Sequence, residues 1–330
     1  MKRALIVFVA VVGCDRAPSP STHDRPSLFE LAGEPTAQLA VVAPTSSPPL
    51  AVVDPCGAPS SFASGARELA SEDGVSRTVL IDAPALDPAQ PNAAHPLLLA
   101  YHGWGGDPDQ LERTTGLVAA ALARGYVVAR PLGIGKSFNA GTCCGDASEQ
   151  KVDDVRFART LVATLEQQVC IDRRRVYAAG FSNGGFLSHR LGCESADLFA
   201  AIASVSGTFG VDSCSPSRPV SVLHIHGKAD GIVKFGGDPT RGWSSVATVI
   251  DAWVRADRCA LDDAREVYAR GAARCVRSGA CEGGVEVTLC RDDRAGHTWP
   301  GGPRSTGYGG TRDLDATTSI LEFFARHQAP

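Results

Sequence analysis

The sequence predicts an α/β fold whose mainly parallel central sheet is covered by helices on both faces. Short apolar runs of strand length alternate with amphipathic helical segments between residues 78 and 327, and one strand runs directly into a Gly-x-Ser-x-Gly turn. Parallel strands present their carboxyl ends at one edge of the sheet, where functional groups collect. We therefore expect the site residues in the loops that follow the strands.

The first elements are identified by apolar runs bounded by turn residues. Residues 78–81 and 96–101 are two such runs, and the second ends at His102-Gly103. A helix is predicted over residues 110–124. Gly125 is expected to end it, because glycine readily adopts the left-handed conformation that terminates helices. Residues 126–129 then form a strand that contains two valines.

The alternation continues to the end of the chain. Residues 151–169 place their apolar side chains on one helical face. Trp243 and Trp253 lie in a further predicted helix and are expected in the core. The remaining predicted elements are strands over 175–179, 200–205, 220–225 and 285–290, a helix over 183–193, and a last helix over 314–327 with Asp313 or Asp315 as its N-cap.

The N-terminal residues predict export. Lys2-Arg3 precede an apolar run, Ala4 to Gly13, that is about half the ~20 residues a membrane-spanning helix needs. Because the run ends in a Val-Val-Gly-Cys sequence that resembles a lipobox, we expect residues 1–14 to be a lipoprotein-type signal peptide that leaves a lipid on Cys14. An ordinary secretory signal is the alternative. Residues 15–54 are rich in Pro, Ser and Thr and predict a disordered tether, so residues 55–330 form the folded domain.

Charge and export together indicate the partners. The formal net charge is −4 and there is no long basic run, which argues against nucleic acid as a partner. The lipid on Cys14 would hold the protein at a membrane surface. We expect a monomeric bacterial lipoprotein located extracellularly, on the cell surface or in the periplasm.

Cysteine usage also fits an exported protein. Of the eleven cysteines, ten remain after Cys14, and an even number predicts disulfides. There is no Cys-x-x-Cys pair and no histidine at zinc-finger spacing, so we expect no structural metal. The adjacent Cys143 and Cys144 are expected to take separate partners, since neighbouring residues rarely meet disulfide geometry. The sequence leaves the connectivity open.

The segment Gly180–Gly184 reads Gly-Phe-Ser-Asn-Gly and predicts a nucleophile. It follows a strand and opens an amphipathic helix, which is the sharp turn that exposes a nucleophilic serine hydroxyl. We therefore take Ser182 as the nucleophile. A glycine-rich turn with an exposed serine is the alternative.

A serine nucleophile of this type needs an acid and then a histidine later in the chain. His297 lies in a loop after the strand over 285–290, which suits a general base. Asp230 follows the strand over 220–225, where a carboxylate can hold the imidazole in the required tautomer. The other candidates are His224, His226 and His327 for the base and Asp238 and Asp251 for the acid.

Acyl transfer also requires backbone N–H donors for the oxyanion. One is expected to be the amide of Asn183, the residue after the nucleophile. The other is expected from the His-Gly-Trp-Gly-Gly loop at residues 102–106, with the Trp104 amide first and the Gly103 amide second. His102 itself is expected to support this loop.

Aromatic side chains near these loops are candidates for substrate contact. The candidates are Trp104, Phe138, Phe181 and Trp299. Each of them could equally pack in the interior.

Several distinct motifs lie one after another along residues 55–330. They are Leu-Ala-Tyr-His-Gly at 99–103, Phe-Asn-Ala-Gly-Thr-Cys-Cys-Gly at 138–145, Asp-Asp-Val at 153–155, Cys-Ile-Asp at 170–172, the segment 175–185 around Ser182, His-Ile-His-Gly at 224–227 with Asp230, and Gly-His-Thr-Trp-Pro-Gly-Gly at 296–302. The set resembles the polyhydroxybutyrate depolymerase-like esterases and the related feruloyl and acetylxylan esterases of carbohydrate esterase family 1.

The resemblance implies an α/β-hydrolase fold that needs no cofactor or metal. It implies carboxylic-ester hydrolysis in which Ser182, Asp230 and His297 match the catalytic triad of the family. It also implies a bridge between Cys193 and Cys214 and structural roles for Cys56 and Cys170. The region from Cys259 to Cys290 matches the family less well, so its pairing stays open.

The sequence thus predicts a serine carboxylesterase that acts on polysaccharide-linked esters. The early Cys-Gly at residues 56–57 and Cys170 resemble secreted plant-cell-wall esterases, and this resemblance implies feruloyl or acetyl esters of plant cell-wall xylan as substrates. Depolymerisation of polyhydroxybutyrate oligomers is the first alternative, and a non-catalytic carbohydrate-binding surface lipoprotein is the second. An acyltransferase would use the same acyl-enzyme, so the sequence does not distinguish it.

Overall fold

A ten-stranded sheet runs through the part of the chain that the computed structural model describes, namely residues 56–57, 62–71, 74–85, 90, 92–260, 263–303 and 310–330. By contacts the chain divides into residues 1–50 and 51–330. The expected signal peptide, Cys14 and the tether over 15–54 lie outside the described residues. Within those described ranges, no helix is both long and apolar enough to span a membrane.

The strands are numbered along the chain. They are β1 (Gly65–Ala70), β2 (Ser76–Asp82), β3 (His95–Tyr101), β4 (Val127–Pro131), β5 (Ile171–Phe181), β6 (Ala201–Val205), β7 (Ser221–Gly227), β8 (Arg265–Arg270), β9 (Ala273–Arg277) and β10 (Val287–Asp292). Their order in the sheet is β1-β2-β4-β3-β5-β6-β7-β10-β9-β8. The six central strands, from β4 to β10, pair in parallel, and an antiparallel pair flanks each side.

Helices cover the sheet. They are α1 (Pro108–Thr115), α2 (Leu117–Leu122), α3 (Gly145–Glu149), α4 (Asp154–Glu166), α5 (Asn183–Glu194), α6 (Val246–Ala256) and α7 (Ala316–Ala325), with short 3₁₀ turns at Pro239–Arg241 and Glu282–Gly284. Asp315 caps α7 by accepting from the Thr318 amide. Two clusters of buried apolar residues form the core, one containing side chains of α4 and α6 and the other side chains of α2 and α7. The fold prediction of a mainly parallel sheet between helices is therefore confirmed.

Two element predictions were wrong in detail. The helix predicted over 110–124 is broken into α1 and α2 at Gly116, whose φ of 64° is left-handed and ends α1. Trp243 is buried as expected but precedes α6, whereas Trp253 lies inside it. The outer strands β1, β8 and β9 were not predicted, because partly exposed outer strands carry a weak apolar pattern. The short helix α3 was not predicted either.

The ten cysteines from Cys56 onward are all described, and they form five disulfides. The expected bridge between Cys193 and Cys214 is present. The other pairs are Cys56–Cys170, Cys143–Cys144, Cys259–Cys281 and Cys275–Cys290.

The prediction of separate partners for Cys143 and Cys144 was wrong, since the two cysteines bond to each other. The peptide bond between them is cis, and it brings their Cα atoms to 3.0 Å. That spacing lets adjacent side chains meet, which the usual trans peptide does not. The sequence carries no signal for this geometry.

Asp257, at the end of α6, makes the stability of the fold depend on pH. It is fully buried, and one of its oxygens accepts from the Val220 amide at 3.1 Å. Burial raises the pKa of Asp257 from 3.8 to about 7, against the opposing effects of the Val220 amide and Arg218. Between these two values the unfolded chain releases a proton that the folded chain retains, so stability falls as pH rises through that window.

We expect Asp257→Asn to remove this dependence. Relative to the wild type, the variant should gain about 2–4 kcal/mol of unfolding free energy between pH 4 and pH 8, measured by urea unfolding at both values. Replacing the exposed Asp212 with Asn is the matched control. The assignment is wrong if the difference between Asp257→Asn and wild type is the same at the two pH values.

Candidate active site

Ser182 lies on a tight turn between β5 and α5. Its φ of 54° and ψ of −119° are a strained combination for a residue with a side chain. A Cβ on Gly180 would lie 2.3 Å from the Gly184 backbone, and one on Gly184 would lie 2.2 Å from the Tyr101 carbonyl oxygen. Both positions therefore require glycine, which explains the Gly-x-Ser-x-Gly pattern as a packing requirement of the turn.

Asp230 lies in the turn that follows β7. Its Oδ1 accepts hydrogen bonds from the backbone amides of Ile232 and Val233, both at 2.9 Å. These bonds fix the carboxylate and leave Oδ2 directed at other partners. The side chain is fully buried.

His297 lies in the loop between β10 and α7 and joins the other two residues. Its Nδ1 is 2.7 Å from Oδ2 of Asp230, and its Nε2 is 3.0 Å from Oγ of Ser182. The acid and histidine loops are also bonded through their backbones, because the Ala229 amide donates to the Ala295 carbonyl at 3.0 Å. The sequence thus led to three residues, from three separate loops, that lie within hydrogen-bond distance of one another.

The electrostatics of the three residues agree with this geometry. Burial raises the pKa of Asp230, but hydrogen bonds from His226 and His297 outweigh it and hold that pKa well below the usual value. Asp230 is therefore a carboxylate that accepts from Nδ1–H of His297. The Nε2 of His297 then carries a lone pair facing the Ser182 hydroxyl, which is the arrangement a general base requires.

Comparisons with known proteins agree with the motifs. The putative esterase NocK of Nocardia uniformis subsp. tsuyamanensis is 32% identical over 274 residues, which cover 76% of this chain and 79% of NocK. Feruloyl esterase B of Piromyces equi is 33% identical over 224 residues, which cover 62% of this chain and 40% of that protein. The chain belongs to the esterase family that its motifs resemble. No protein-family model matches it.

A solved structure supports the fold separately. The acetyl xylan esterase from Aspergillus awamori aligns with a TM-score of 0.54 at 12% identity, covering 79% of this chain and 99% of that one. At this identity the likeness concerns the fold alone. The chain is thus an α/β-hydrolase esterase, that is, a carboxylic-ester hydrolase.

The loop at residues 102–106 packs directly against the serine of the esterase. A Cβ built on Gly103 would lie 3.3 Å from Cβ of Ser182. The His102 ring holds this loop: Nε2 accepts from the Gly133 amide at 3.1 Å, so Nδ1 donates to the Gly103 carbonyl at 2.8 Å. The supporting role expected for His102 agrees with these contacts.

The two expected oxyanion donors are the amides of Trp104, in the loop at residues 102–106, and of Asn183, the residue after the serine. Among the described residues, neither amide donates a hydrogen bond to another protein group. Both are therefore available to a ligand. Their role in holding an oxyanion remains a proposal.

The side chain of Asn183 has a role that the sequence analysis missed. Its Oδ1 accepts from the Phe138 amide at 2.7 Å, and its Nδ2 donates to the Phe138 carbonyl at 2.9 Å. The same Nδ2 lies 3.6 Å from Sγ of Cys143. The residue after the serine thus binds the loop of the Cys143–Cys144 disulfide to the site.

The aromatic candidates divide into two groups. Phe138 and Trp299 are fully buried, which agrees with the alternative that they pack in the interior. Trp299 packs in the core and donates from Nε1 to Oγ1 of Thr317 at 2.9 Å. Phe181 is half-buried, with its ring centroid 5.0 Å from that of His297. Trp104 is 65% exposed.

The alternative site residues lie elsewhere. Asp238 accepts from Thr240 and pairs with Lys234, and Asp251 is an exposed residue of α6. His327 faces Glu286 at 3.5 Å. In the described parts of the chain, no group of three His, Cys, Asp or Glu residues is arranged to hold a metal ion.

Proposed function

We propose that this chain is an exported serine esterase in which Ser182, His297 and Asp230 carry out ester hydrolysis. The observation that carries the proposal is the continuous hydrogen-bonded line from Ser182 Oγ through the His297 ring to Asp230 Oδ2. A binding protein has no need for a buried carboxylate, an imidazole and a strained serine in this order.

In the proposed reaction, Nε2 of His297 takes the Ser182 hydroxyl proton while Oγ bonds to the ester carbonyl carbon. The carbonyl oxygen becomes an oxyanion held by the Trp104 and Asn183 amides. The intermediate collapses, the C–O bond to the alcohol breaks, and His297 gives its proton to the leaving alcohol. Water then attacks the acyl-enzyme by the same route, which releases the acid and restores Ser182.

For the substrate we propose feruloyl or acetyl esters linked to plant cell-wall polysaccharide. Relatives carry these names: feruloyl esterase B of Piromyces equi, and a bifunctional acetylxylan esterase/xylanase of Neocallimastix patriciarum. Trp104 and Ile232, which are large and exposed, lie on the loop beside Ser182 and on the turn of Asp230. Such side chains suit an aromatic acyl group or a sugar ring.

We also propose that the esterase works outside the cytoplasm, held at a membrane surface by a lipid on Cys14. Five disulfides support an oxidising compartment. The Lys2-Arg3 start, the apolar run and Cys14 support lipoprotein processing, and residues 15–54 would serve as the tether.

The test is hydrolysis of methyl ferulate, acetylated xylan and hydroxybutyrate oligomers by the purified protein. Turnover of the first or second substrate supports the proposal. Turnover of the oligomers alone would replace it with polyhydroxybutyrate depolymerisation, and no turnover would favour a carbohydrate-binding protein. Addition of a sugar acceptor distinguishes an acyltransferase, since it would form a new ester in place of free acid.

Trp104→Ala tests the contribution of the exposed indole. The substitution keeps the backbone amide, so the oxyanion contact stays while the aromatic surface is lost. We expect KM for methyl ferulate to rise about tenfold, equal to ~1.4 kcal/mol, with a smaller change for an acetyl ester. Val267→Ala, at an exposed position of β8, is the control. Equal effects on both esters would contradict an acyl-group contact.

A further inference from the structure

Three fully buried histidines form a line in the core of the esterase. His189 lies on α5, and His224 and His226 lie two residues apart on β7, so their side chains share one face of the sheet. Nε2 of His189 is 3.0 Å from Nδ1 of His224, and Nε2 of His224 is 3.1 Å from Nδ1 of His226. Consecutive rings in the line are thus hydrogen-bonded.

One end of the line fixes the direction of every bond. Nε1 of Trp253 can only donate, and it donates to Nδ1 of His189 at 3.1 Å. A neutral His189 therefore carries its proton on Nε2 and donates it to His224. The same reasoning places the proton of His224 on Nε2, from which it is donated to His226.

The other end requires the same direction. Nε2 of His226 lies 2.7 Å from the Val233 carbonyl oxygen, which can only accept, so this nitrogen also carries a proton. The same N–H lies 3.5 Å from Oδ2 of Asp230. The two ends agree, and all three histidines are neutral with the proton on Nε2.

The line has no place for another proton. Each Nδ1 already accepts from an N–H, so an added proton would set two donors against each other. Burial lowers the pKa of His189 to about 3 and that of His224 well below its usual value. Each ring is thus held in one tautomer, and His189 and His224 are held neutral.

The line ends on the turn that carries the acid. Asp230 uses Oδ1 for the amides of Ile232 and Val233, while His226 holds the Val233 carbonyl and approaches Oδ2. His189, at the other end, lies on the helix that begins just after Ser182. The line therefore connects the nucleophile helix to the acid turn through the core.

We propose that His189, His224 and His226 are positioning residues that set the Asp230 carboxylate against His297. The inference rests on the proposed function. The final N–H of the line fixes the Val233 end of the turn and favours the charged form of Asp230. In the described part of the chain none of the three histidines forms a hydrogen bond with Ser182 or His297, so their effect on catalysis passes through Asp230.

The first test uses the folded wild type and does not depend on activity. ¹⁵N-histidine NMR at pH 7 should give three buried rings with a protonated Nε2 and an unprotonated Nδ1. A proton on Nδ1 of His189, His224 or His226, alone or together with one on Nε2, would overturn the proposal, whereas the buried His102 ring should show the opposite tautomer. Ester hydrolysis by the same sample tests the proposed function separately.

The second test compares His226→Leu with His226→Gln. Leu removes the N–H that faces Val233 and Asp230, whereas the Gln amide can replace it. We expect His226→Leu to lower kcat up to about 10²-fold with KM unchanged, to shift the His297 Nδ1–H proton resonance, and to be largely rescued by His226→Gln. A folded His226→Leu protein with wild-type kcat and an unshifted resonance would refute the positioning role.

Discussion

Ser182→Ala should reduce kcat for ester hydrolysis by roughly 10⁴–10⁶-fold. The substitution removes the atom that attacks the ester, while His297, Asp230 and the two amides keep their places. The only reaction left is direct attack of water on the bound ester. This reaction is slow because no group holds the water against the carbonyl carbon. The variant should still bind substrate, since the surfaces around the serine are unchanged.

The measurement is kcat and KM for wild type and variant on the ester found in the substrate panel. Ser217→Ala, at an exposed position away from the site, controls for the loss of a serine hydroxyl and should match the wild type. A loss of less than about a hundredfold in Ser182→Ala would mean that another group is the nucleophile.

Asp230→Asn should lower kcat by roughly 10⁴-fold while the fold is retained. The amide has one oxygen, and the two backbone donors of Ile232 and Val233 require it at the Oδ1 position. The amide NH₂ then lies where Oδ2 was and donates to Nδ1 of His297. The imidazole must carry its proton on Nε2, so that it donates towards Ser182 and cannot act as a base.

The same substitution sets the NH₂ against the N–H of His226, which adds a local repulsion but leaves the core in place. Kinetics across pH and the NMR tautomer of His297 should both report the change. Asp238→Asn, an alternative acid that the structure finds beside Thr240 and Lys234, is the matched control and should keep full activity. Comparable losses in the two variants would exclude Asp230 as the acid.

The sequence predicted the parts of the molecule that local chemistry determines. The turn at Ser182 needs glycines on both sides for packing, and the loops of Asp230 and His297 follow apolar strands, so these positions carry strong patterns. The parallel pairing of the central strands follows from the same alternation, whereas their order in the sheet was not predicted. Edge strands such as β1 and β8 were missed because water on one side weakens their apolar signal.

Other features depend on distant packing and have no local pattern. Trp299 lies in the loop of His297 and Phe138 lies against Asn183, but both are buried, where Phe138 packs on Tyr101 and Trp299 bonds to Thr317. The direction of the histidine line depends on Trp253, which lies far along the chain from His189. The bond between Cys143 and Cys144 goes with a cis peptide bond, for which the sequence has no recognisable pattern.

The charges on the outer strands of the sheet affect whether neighbouring copies of the protein aggregate at a membrane surface. The edge strand β8 carries Arg265, Glu266 and Arg270, and the opposite edge β1 carries Arg67 and Glu68. If lipid on Cys14 gathers many copies on one membrane, the domains meet at high local concentration, where open edges invite strand addition. Charged edges oppose such growth, because pairing would strip water from these side chains. Under the proposed anchoring, the esterase would then be concentrated without promoting its aggregation.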